Sequence, residues 1–349
     1  MTTGAQITLA HSPDPDDVFM WWPITGLIEP PVDPQQITPA RVISRPELDT
    51  GRFRFAPIAA DIAALNRHAM AGGVGAGGGG GGADAGLDIT AISMFAWAHV
   101  RDRYALTSMG ASMGYGYGPR LVVPARTQDS RSDRPPQPAS APCYLHEAEP
   151  RRATVADMRR PETLIAVPGV GTTAFLLLSM ILGPGSFRYI EMPFDAILDA
   201  VAHRRSGITA GLLIHQSQLT FADLGLELVV DVGDWWLKQT GLPLPLGGNA
   251  VRRDLDARFG PGSMREIVGL LNRSVRYALA HRERSIEYCM CFAPEISREQ
   301  AERYIDMYVS DLTVDAGEAG RGAVQRLLEE GAKLGMCPHP GIVAFERPS

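Results

Sequence analysis

Gly211-Leu-Leu-Ile-His-Gln-Ser-Gln-Leu-Thr-Phe221 is the stretch on which the fold turns. Its apolar run stops at one imidazole, His215, and the polar residues that follow open a turn or a helix. Such a run marks a buried strand whose carboxyl end faces a crevice, the place where open α/β sheets bind small molecules. Histidine at that place is well matched to proton transfer near neutral pH, although a hydrogen-bonded structural histidine leaves the same local pattern. The residues just upstream, Ser206-Gly-Ile-Thr-Ala-Gly-Leu-Leu213, echo Gly86-Leu-Asp-Ile-Thr-Ala-Ile-Ser93 in a glycine, an Ile-Thr-Ala core and an abrupt polar exit. Two related units with ligand-facing strand ends predict two lobes closing on a central cleft.

The rest of the chain alternates in the same way. Strands are expected at Ile7–Ala10, Leu87–Ser93, Leu164–Val167, Tyr189–Met192 and Gly207–Ile214. Helices are expected from near Val18, from Met94 to Val100, and over Ala174–Leu182 and Asp195–His203. Alternation of this kind predicts α/β layers with mostly parallel sheets. The C-terminal third reads as helical over Ser263–His281, Arg298–Tyr308 and Ala323–Leu334, from apolar residues at helical spacing such as Ile267, Leu270, Leu271 and Val275. Extended, proline-flanked segments at Pro119–Pro124 and Gly241–Gly247 are the expected crossovers. Lobe one is then discontinuous, 1–121 plus 234–349, and lobe two is 122–233. Gly72–Gly86 is nearly pure glycine and alanine, a flexible insertion in lobe one. Arg126–Glu162, rich in Pro, Ser, Arg and Asp, reads as a long surface loop inserted in lobe two.

Composition removes several classes of function. The 349 residues leave room for two domains, and 45% hydrophobic with 21% charged residues is the balance of a globular chain. Acids exceed bases 39 to 33 and the arginines are scattered, so no nucleic-acid footprint is expected. Cys143, Cys289, Cys291 and Cys337 form neither a CxxC pair nor a zinc spacing, and the 8 histidines include no HxxxH pair. No metal site is therefore predicted, and reduced thiols in the cytoplasm are. The first ten residues carry no basic head or long apolar run, so no export signal is expected. Leu164–Leu182 is free of charge, but Pro168, Gly169, Gly171, Thr172 and Thr173 divide it into a strand and a helix too short to span lipid. No membrane contact is expected, and the oligomeric state stays open.

Three further segments carry candidate chemistry. In Pro168-Gly-Val-Gly-Thr-Thr-Ala-Phe175 a strand ends, glycines turn the backbone, and Thr172 or Thr173 can cap the next helix. Its free N–H groups and dipole end suit a carboxylate or phosphate, though plain capping explains the residues equally well. The third glycine and downstream acid of a dinucleotide site are missing. His11-Ser-Pro-Asp-Pro-Asp-Asp17 is a stiff loop whose Asp16 or Asp17 can cap a helix from near Val18, which explains Asp14 less well, and Ser12, Asp14 and Asp16 are candidate substrate contacts. Ser93 ends its own strand. Two facing lobes would bring these strand ends together, which makes His215 the candidate base. No serine or cysteine with a neighbouring histidine points to a nucleophilic triad.

With these residues in view the chain resembles the 1,4-dihydroxy-6-naphthoate synthases, the lyases of the futalosine route to menaquinone. The resemblance covers most of the chain outside the two insertions. It is strongest over Leu87–Pro119 with Val100-Arg-Asp-Arg-Tyr104, over Ala166–Leu178, and over Gly211–Asp254 with Trp235-Trp236 and Leu242-Pro-Leu-Pro-Leu-Gly247. It implies a two-lobe α/β fold like that of the type II periplasmic binding proteins and a lyase that needs no cofactor. The implied reaction splits cyclic dehypoxanthinylfutalosine, with His215 as proton acceptor, Thr172 and Thr173 holding substrate, and Ser93 ending a second substrate-contacting segment. A base there would take a proton from the sugar part and start carbon–carbon cleavage, while the helix end at Thr172 holds the ring carboxylate.

The chain also departs from that family. Asp14 and Asp16 stand where the family has a cysteine and an asparagine, Ala91 where it has a lysine, and Gln216-Ser-Gln218 where it tends to Glu-Ser-Arg. A carboxylate about 4 Å from another costs on the order of 4 kcal/mol at an effective dielectric of 20. A helix terminus returns only about 0.3–1 kcal/mol, or about 2 when partly buried. Three outcomes stay open: Asp14 points elsewhere, Asp14 titrates upward, or the ligand is less anionic. The alternative functions are a solute-binding or sensory protein, and a paralogous cytoplasmic lyase or dehydratase acting on another small carboxylate such as chorismate.

Overall fold

The computed structural model describes residues 4–72, 86–125 and 152–348. In chain order the first elements are β1 Ala5–His11, α1 Pro15–Thr25, β2 Phe53–Ala59, α2 Ile62–Met70, β3 Ile89–Ser93, α3 Met94–Trp97, β4 Tyr104–Thr107 and β5 Ser112–Gly114. Next come β6 Arg120–Pro124, β7 Leu164–Val167, α4 Thr173–Leu182, β8 Arg188–Glu191, α5 Phe194–Ala202, β9 Ala210–Leu213, α6 Ser217–Thr220 and β10 Leu226–Asp231. The remainder is α7 Val232–Thr240, β11 Leu244–Arg252, α8 Leu255–Phe259, α9 Ser263–Ala280, α10 Arg282–Cys289, α11 Arg298–Tyr308, α12 Asp311–Val314, α13 Gly317–Lys333 and β12 Phe345–Glu346.

Two sheets organise these elements, ordered β12-β4-β11-β3-β1-β2, with β5 on β11, and β10-β6-β9-β7-β8. From one edge inward the two run alike. β2, β1 and β3 are mutually parallel and then meet antiparallel β11, itself antiparallel to β4. β8, β7 and β9 are parallel and then meet antiparallel β6, itself antiparallel to β10. The echo between the segments at 86–93 and 206–213 thus has a physical basis: β3 and β9 occupy the same place in the two sheets. Each is wholly buried, as befits a strand covered on both faces.

The antiparallel strand of each sheet arrives from the other sheet. β6 follows β5, and β11 follows α7. Pro119–Pro124 and Gly241–Gly247 are therefore largely strand (β6 and the start of β11) rather than the crossovers expected from their prolines. The actual passages lie at 115–119 and 232–243, and they touch where Val232 N donates to the Pro119 carbonyl at 2.9 Å. Glycine is required there: a Cβ on Gly233 would sit 2.0 Å from the Tyr117 carbonyl, and one on Gly118 would sit 2.9 Å from Gly233 N.

Packing ties the C-terminal helices to the sheets. α1 is apolar on every side and buried along nearly its whole length against α9 and α10. Val324, Leu327 and Leu328 of α13 share a core with Leu176 and Leu177 of α4. The helix expected near Val18 starts instead at Pro15, because proline's fixed φ and missing N–H suit the first helical position. Asp14, not Asp16 or Asp17, holds the N-cap position. Of the expected surface loop at 126–162, residues 126–151 lie outside the described residues. The rest, from 152 to 162, holds a 3-10 turn at Val155–Arg159 that buries Met158. The expected glycine-rich insertion lies outside the described residues except at its ends, Gly72 and Gly86. Among the described residues no helix is long and apolar enough to cross a membrane.

Candidate active site

The carboxyl ends of β1, β3, β7 and β9 meet in a cleft that encloses about 660 Å³ of empty space, part of it open to solvent. Ser12, Asp14, Asp16, Ser93, Thr172, Thr173 and His215, the seven residues singled out by sequence, all line it. Two pairs of strand ends contribute differently: β1 faces β9, and β3 faces β7.

Between β1 and β9 the contact is charged. His215 Nδ1 lies 2.8 Å from Asp14 Oδ2, and the Ser12 hydroxyl donates to that same oxygen at 2.5 Å. An ionised carboxylate only accepts, so the Nδ1 proton stays on the ring and the lone pair of a neutral imidazole falls on Nε2. Nε2 is shielded from solvent and has no hydrogen-bond partner among the described residues. The Phe194 ring stands edge-on to the imidazole, centroids 4.6 Å apart at 77°, and limits its rotation. His215 also adopts φ 56°, a left-handed backbone that costs a non-glycine residue on the order of 1–3 kcal/mol. Such strain persists where surrounding structure fixes it, and here it turns the ring from the end of β9 toward the other sheet.

Asp14 pays for this with its local role. At an N-cap position aspartate ordinarily accepts from the first-turn N–H groups, yet its side chain makes no capping bond. Asp17, in the first turn of α1, instead accepts from Ser12 N at 2.9 Å.

Burial sets the charge of the rest of the lining. Asp16 is pushed up to about 6, first by loss of solvent and then by the neighbouring Asp14 charge. Asp17 is driven well above the usual carboxylate range by burial and by Asp16. Burial likewise raises Asp61, the cap of α2. For His215 burial alone acts downward, but the charge and hydrogen bond of Asp14, with Asp16 and Asp61 behind it, turn the net displacement upward. Tyr304 of α11, buried beside Asp16 and Asp14, is held well above the ordinary phenol range. His11 is pushed down to about 4 by burial, and its Nδ1 is engaged by the Ser12 carbonyl. The described lining contains no lysine or arginine.

Between β3 and β7 the contact is neutral. Thr172 caps α4 by accepting from Phe175 N at 3.2 Å, and its hydroxyl donates to the Gly169 carbonyl at 2.8 Å. Thr173 crosses the cleft: its hydroxyl donates to the Leu246 carbonyl at 2.6 Å and accepts from Phe95 N at 3.2 Å. Both hydroxyls are thus held by protein atoms, and the dipole end of α4 faces the cavity through Thr173 and Ala174. Asn66 on α2 joins the same seam. It donates to Ser93 Oγ at 2.9 Å and to the Gly171 carbonyl at 3.3 Å, while its oxygen accepts from Ser93 N at 3.0 Å.

Tyr304 and Tyr308, which line the cavity, and Asn66 and Asp61, which stand behind Ser93 and His215, are residues that sequence reading misses. For Asp61 a signal exists, since an aspartate directly before the apolar run of Ile62-Ala-Ala-Leu65 is an N-cap pattern, and its side chain accepts from Ala63 N and Ala64 N. Tyr308 donates to Gln218 Oε1 at 3.1 Å, three residues beyond His215. Nothing in the local sequence marks it. Among the described residues no group of three or more His, Cys, Asp or Glu side chains is arranged to hold a metal ion.

Known proteins resemble this chain in sequence and in fold. A family model described as menaquinone biosynthesis matches residues 7–333. A Thermus thermophilus protein named 1,4-dihydroxy-6-naphthoate synthase is 33% identical over 336 residues, covering 96% of this chain and 97% of its own. A Streptomyces coelicolor protein of the same name is 29% identical, covering 97% and 98%. A crystal structure from Archaeoglobus fulgidus superposes with a TM-score of 0.68 at 32% identity, over 95% of this chain and 98% of that one. The alkanesulfonate-binding protein of Xanthomonas axonopodis pv. citri, bound to MOPS, superposes with a TM-score of 0.59 at 13% identity, over 99% of this chain and 100% of that one. At that identity the likeness concerns the fold alone, which is α/β and periplasmic-binding-protein-like.

Proposed function

The chain belongs to the menaquinone biosynthesis family, and from that premise we propose that it is a carbon–carbon lyase converting cyclic dehypoxanthinylfutalosine to 1,4-dihydroxy-6-naphthoate, with His215 as the proton acceptor. One observation carries the chemical part. The described cavity lining contains a single imidazole, whose Nδ1 is committed to Asp14 and whose Nε2 has no partner. That is the state a general base needs: a lone pair of fixed direction in a space shielded from water. Nε2 takes a proton from the sugar part of the substrate, and the electron pair left behind drives the carbon–carbon bond apart. His215 thereby becomes an imidazolium.

With no cationic side chain in the described lining, the ring carboxylate would rest on the N–H groups that begin α4, beside Thr172 and Thr173. Ser12, Ser93 and Asp16 complete the proposed set of substrate contacts. Asp16, titrating at about 6, can offer a proton to the substrate as well as accept one. No cofactor enters the scheme. Division into lobes at 122 and 234 suits the grouping of strands into two sheets. The cytoplasm, the proposed compartment, suits the free thiols of Cys289, Cys291 and Cys337.

Purified protein given cyclic dehypoxanthinylfutalosine without additions tests the reading. Turnover to the naphthoate, abolished in a folded His215→Ala variant, is the expected result. Full turnover in that variant removes His215 from the mechanism. Tight binding of the substrate without turnover by the wild-type chain would make this a binding protein, the activity of the alkanesulfonate-binding neighbour.

A further inference from the structure

We infer that Asp14 is a positioning residue for His215, holding the ring from the opposite side of the cleft so that Nε2 presents its lone pair to the cavity. This rests on the reading of His215 as the base. Four observations lead to it. Asp14 is buried to 3% exposure, and its Oδ2 sits 2.8 Å from Nδ1. Ser12 Oγ fixes the same oxygen at 2.5 Å, so the carboxylate cannot swing freely toward bound substrate. The N-cap bond that an aspartate at the start of α1 would ordinarily make is absent, so its placement is not explained by helix stability. His215, for its part, holds a left-handed φ of 56° that brings the ring to the carboxylate.

These groups belong to different sheets: Asp14 follows β1 and His215 follows β9. A local structural bond would join neighbours, whereas this one exists only while the two sheets face each other closely. The proton balance is simple. A proton leaves the substrate for Nε2, its electron pair stays on the substrate, the Nδ1–H remains on nitrogen, and the imidazolium charge is met by Asp14, which takes up no proton. The carboxylate therefore acts through the ring and not on the substrate. Its remaining oxygen, Oδ1, is buried without a partner among the described residues.

Other groups face the ring. Asp16 lies in the first turn of α1, Asp61 caps α2, and Tyr304 and Tyr308 come from α11. A substitution at 14 leaves all of these in place but also removes the charge that helps raise Asp16, so the ring nitrogens of His215 are read directly. The test is nitrogen NMR of the His215 ring in the ligand-free chain, which does not depend on the proposed substrate. Wild-type protein is expected to hold the proton on Nδ1 and to titrate above the ordinary histidine value of 6.5. In Asp14→Asn the titration should fall by about one pH unit or more. In turnover assays the same variant should lose roughly a hundredfold in kcat with KM changed less than about threefold, and the acid limb of its pH profile should move to lower pH.

A wild-type ring protonated on Nε2 when neutral, or one titrating below 6.5, overturns the inference even if no variant folds. An unmoved titration in folded Asp14→Asn overturns it too. Should the NMR result stand while wild-type protein fails to turn over cyclic dehypoxanthinylfutalosine, the positioning holds and only the substrate assignment falls.

Discussion

Two facing pairs of strand ends span the cleft, and they are built from opposite materials. The sheets share strand order and sense, so β1 and β7 are counterparts, as are β3 and β9. Yet the β1–β9 pair joins a carboxylate to an imidazole, whereas the β3–β7 pair joins hydroxyls, an amide and backbone groups. The difference separates two tasks that one cleft must perform. A charged contact in a low-dielectric space sets the protonation of a reacting group, while a neutral one fixes geometry without imposing a field. Each variant below removes one material and asks whether only its own task suffers.

The largest effect is expected on the charged pair. His215→Asn should lower kcat by roughly 10²–10⁴-fold, the span attributed to a positioned general base. A double-mutant cycle sharpens the point, because contacting residues in one network do not add. Asp14→Asn made in a His215→Asn background should cost less than about twofold in residual turnover. If Asp14→Asn keeps its full effect without the imidazole, the carboxylate acts on substrate directly and the division of labour is wrong.

Next comes Asp16, which lies beside the charged pair without joining it. A carboxyl that titrates at about 6 when folded and 3.8 when unfolded costs the folded state on the order of 3 kcal/mol above pH 6. The sign follows from proton uptake: the folded chain binds the proton more tightly, so stability falls as pH rises from about 4 to about 6. Asp16→Asn removes this penalty. Denaturant unfolding at pH 8 should show a clear gain for the variant, and the gain should shrink to nothing near pH 4. A variant equally stable with wild type at pH 8 would show that the carboxyl is solvated and that burial does not govern this end of the cleft.

Smaller still is the expected loss on the neutral pair. Thr173→Val keeps shape but leaves Phe95 N and the Leu246 carbonyl without their bridging hydroxyl. An unmade buried bond costs about 1–3 kcal/mol, hence roughly a 5- to 150-fold weaker substrate affinity where closure is linked to binding. Isothermal titration should find that loss, with the pH profile of turnover unmoved. A shifted profile would mean that the neutral pair also tunes the base.

How far the sequence reveals this arrangement depends on the range of the signal. His215 and Ser93 stand out because each closes an apolar run with a polar residue, and Thr172 because it follows a glycine turn as a helix cap, all local patterns. The Asp14–His215 bond does not, since its partners lie on different sheets and only the folded arrangement brings them together. Prolines mislead at the crossovers. Pro245 lies inside β11, where a register irregularity between Pro245 and Gly247 accommodates a residue with no N–H to give. Glycines mislead at α13, expected from Ala323 but starting at Gly317. Gly320 lies too close to the Ala316 Cβ, 2.7 Å from where its own Cβ would be, for a larger residue to fit. Close packing there overrides helix propensity, and the apolar spacing that marks the helix begins only at Ala323. The segment at 53–70 carries both signals that matter: Phe53-Arg-Phe-Ala-Pro-Ile58 for a strand, and Asp61 before an apolar run for a capped helix. The second of these marks Asp61, whereas neither marks Asn66.

The smallest effect is expected at the rim. Gln216, next to His215, donates to Glu295 Oε1 at 2.7 Å in an exposed contact that also crosses between the two units. Geometry alone would rank this bond with the others, being no longer than the one from His215 to Asp14. Water decides otherwise. An exposed amide–carboxylate bond replaces hydrogen bonds that both groups make equally well to solvent, so its net worth is within about 0.5 kcal/mol. Glu295→Ala should therefore change KM by less than about twofold and leave kcat and the His215 titration where they are. A tenfold rise in KM would show that the rim, rather than the buried pairs, holds the cleft closed around its substrate, and the contrast between charged and neutral strand ends would then explain chemistry but not binding.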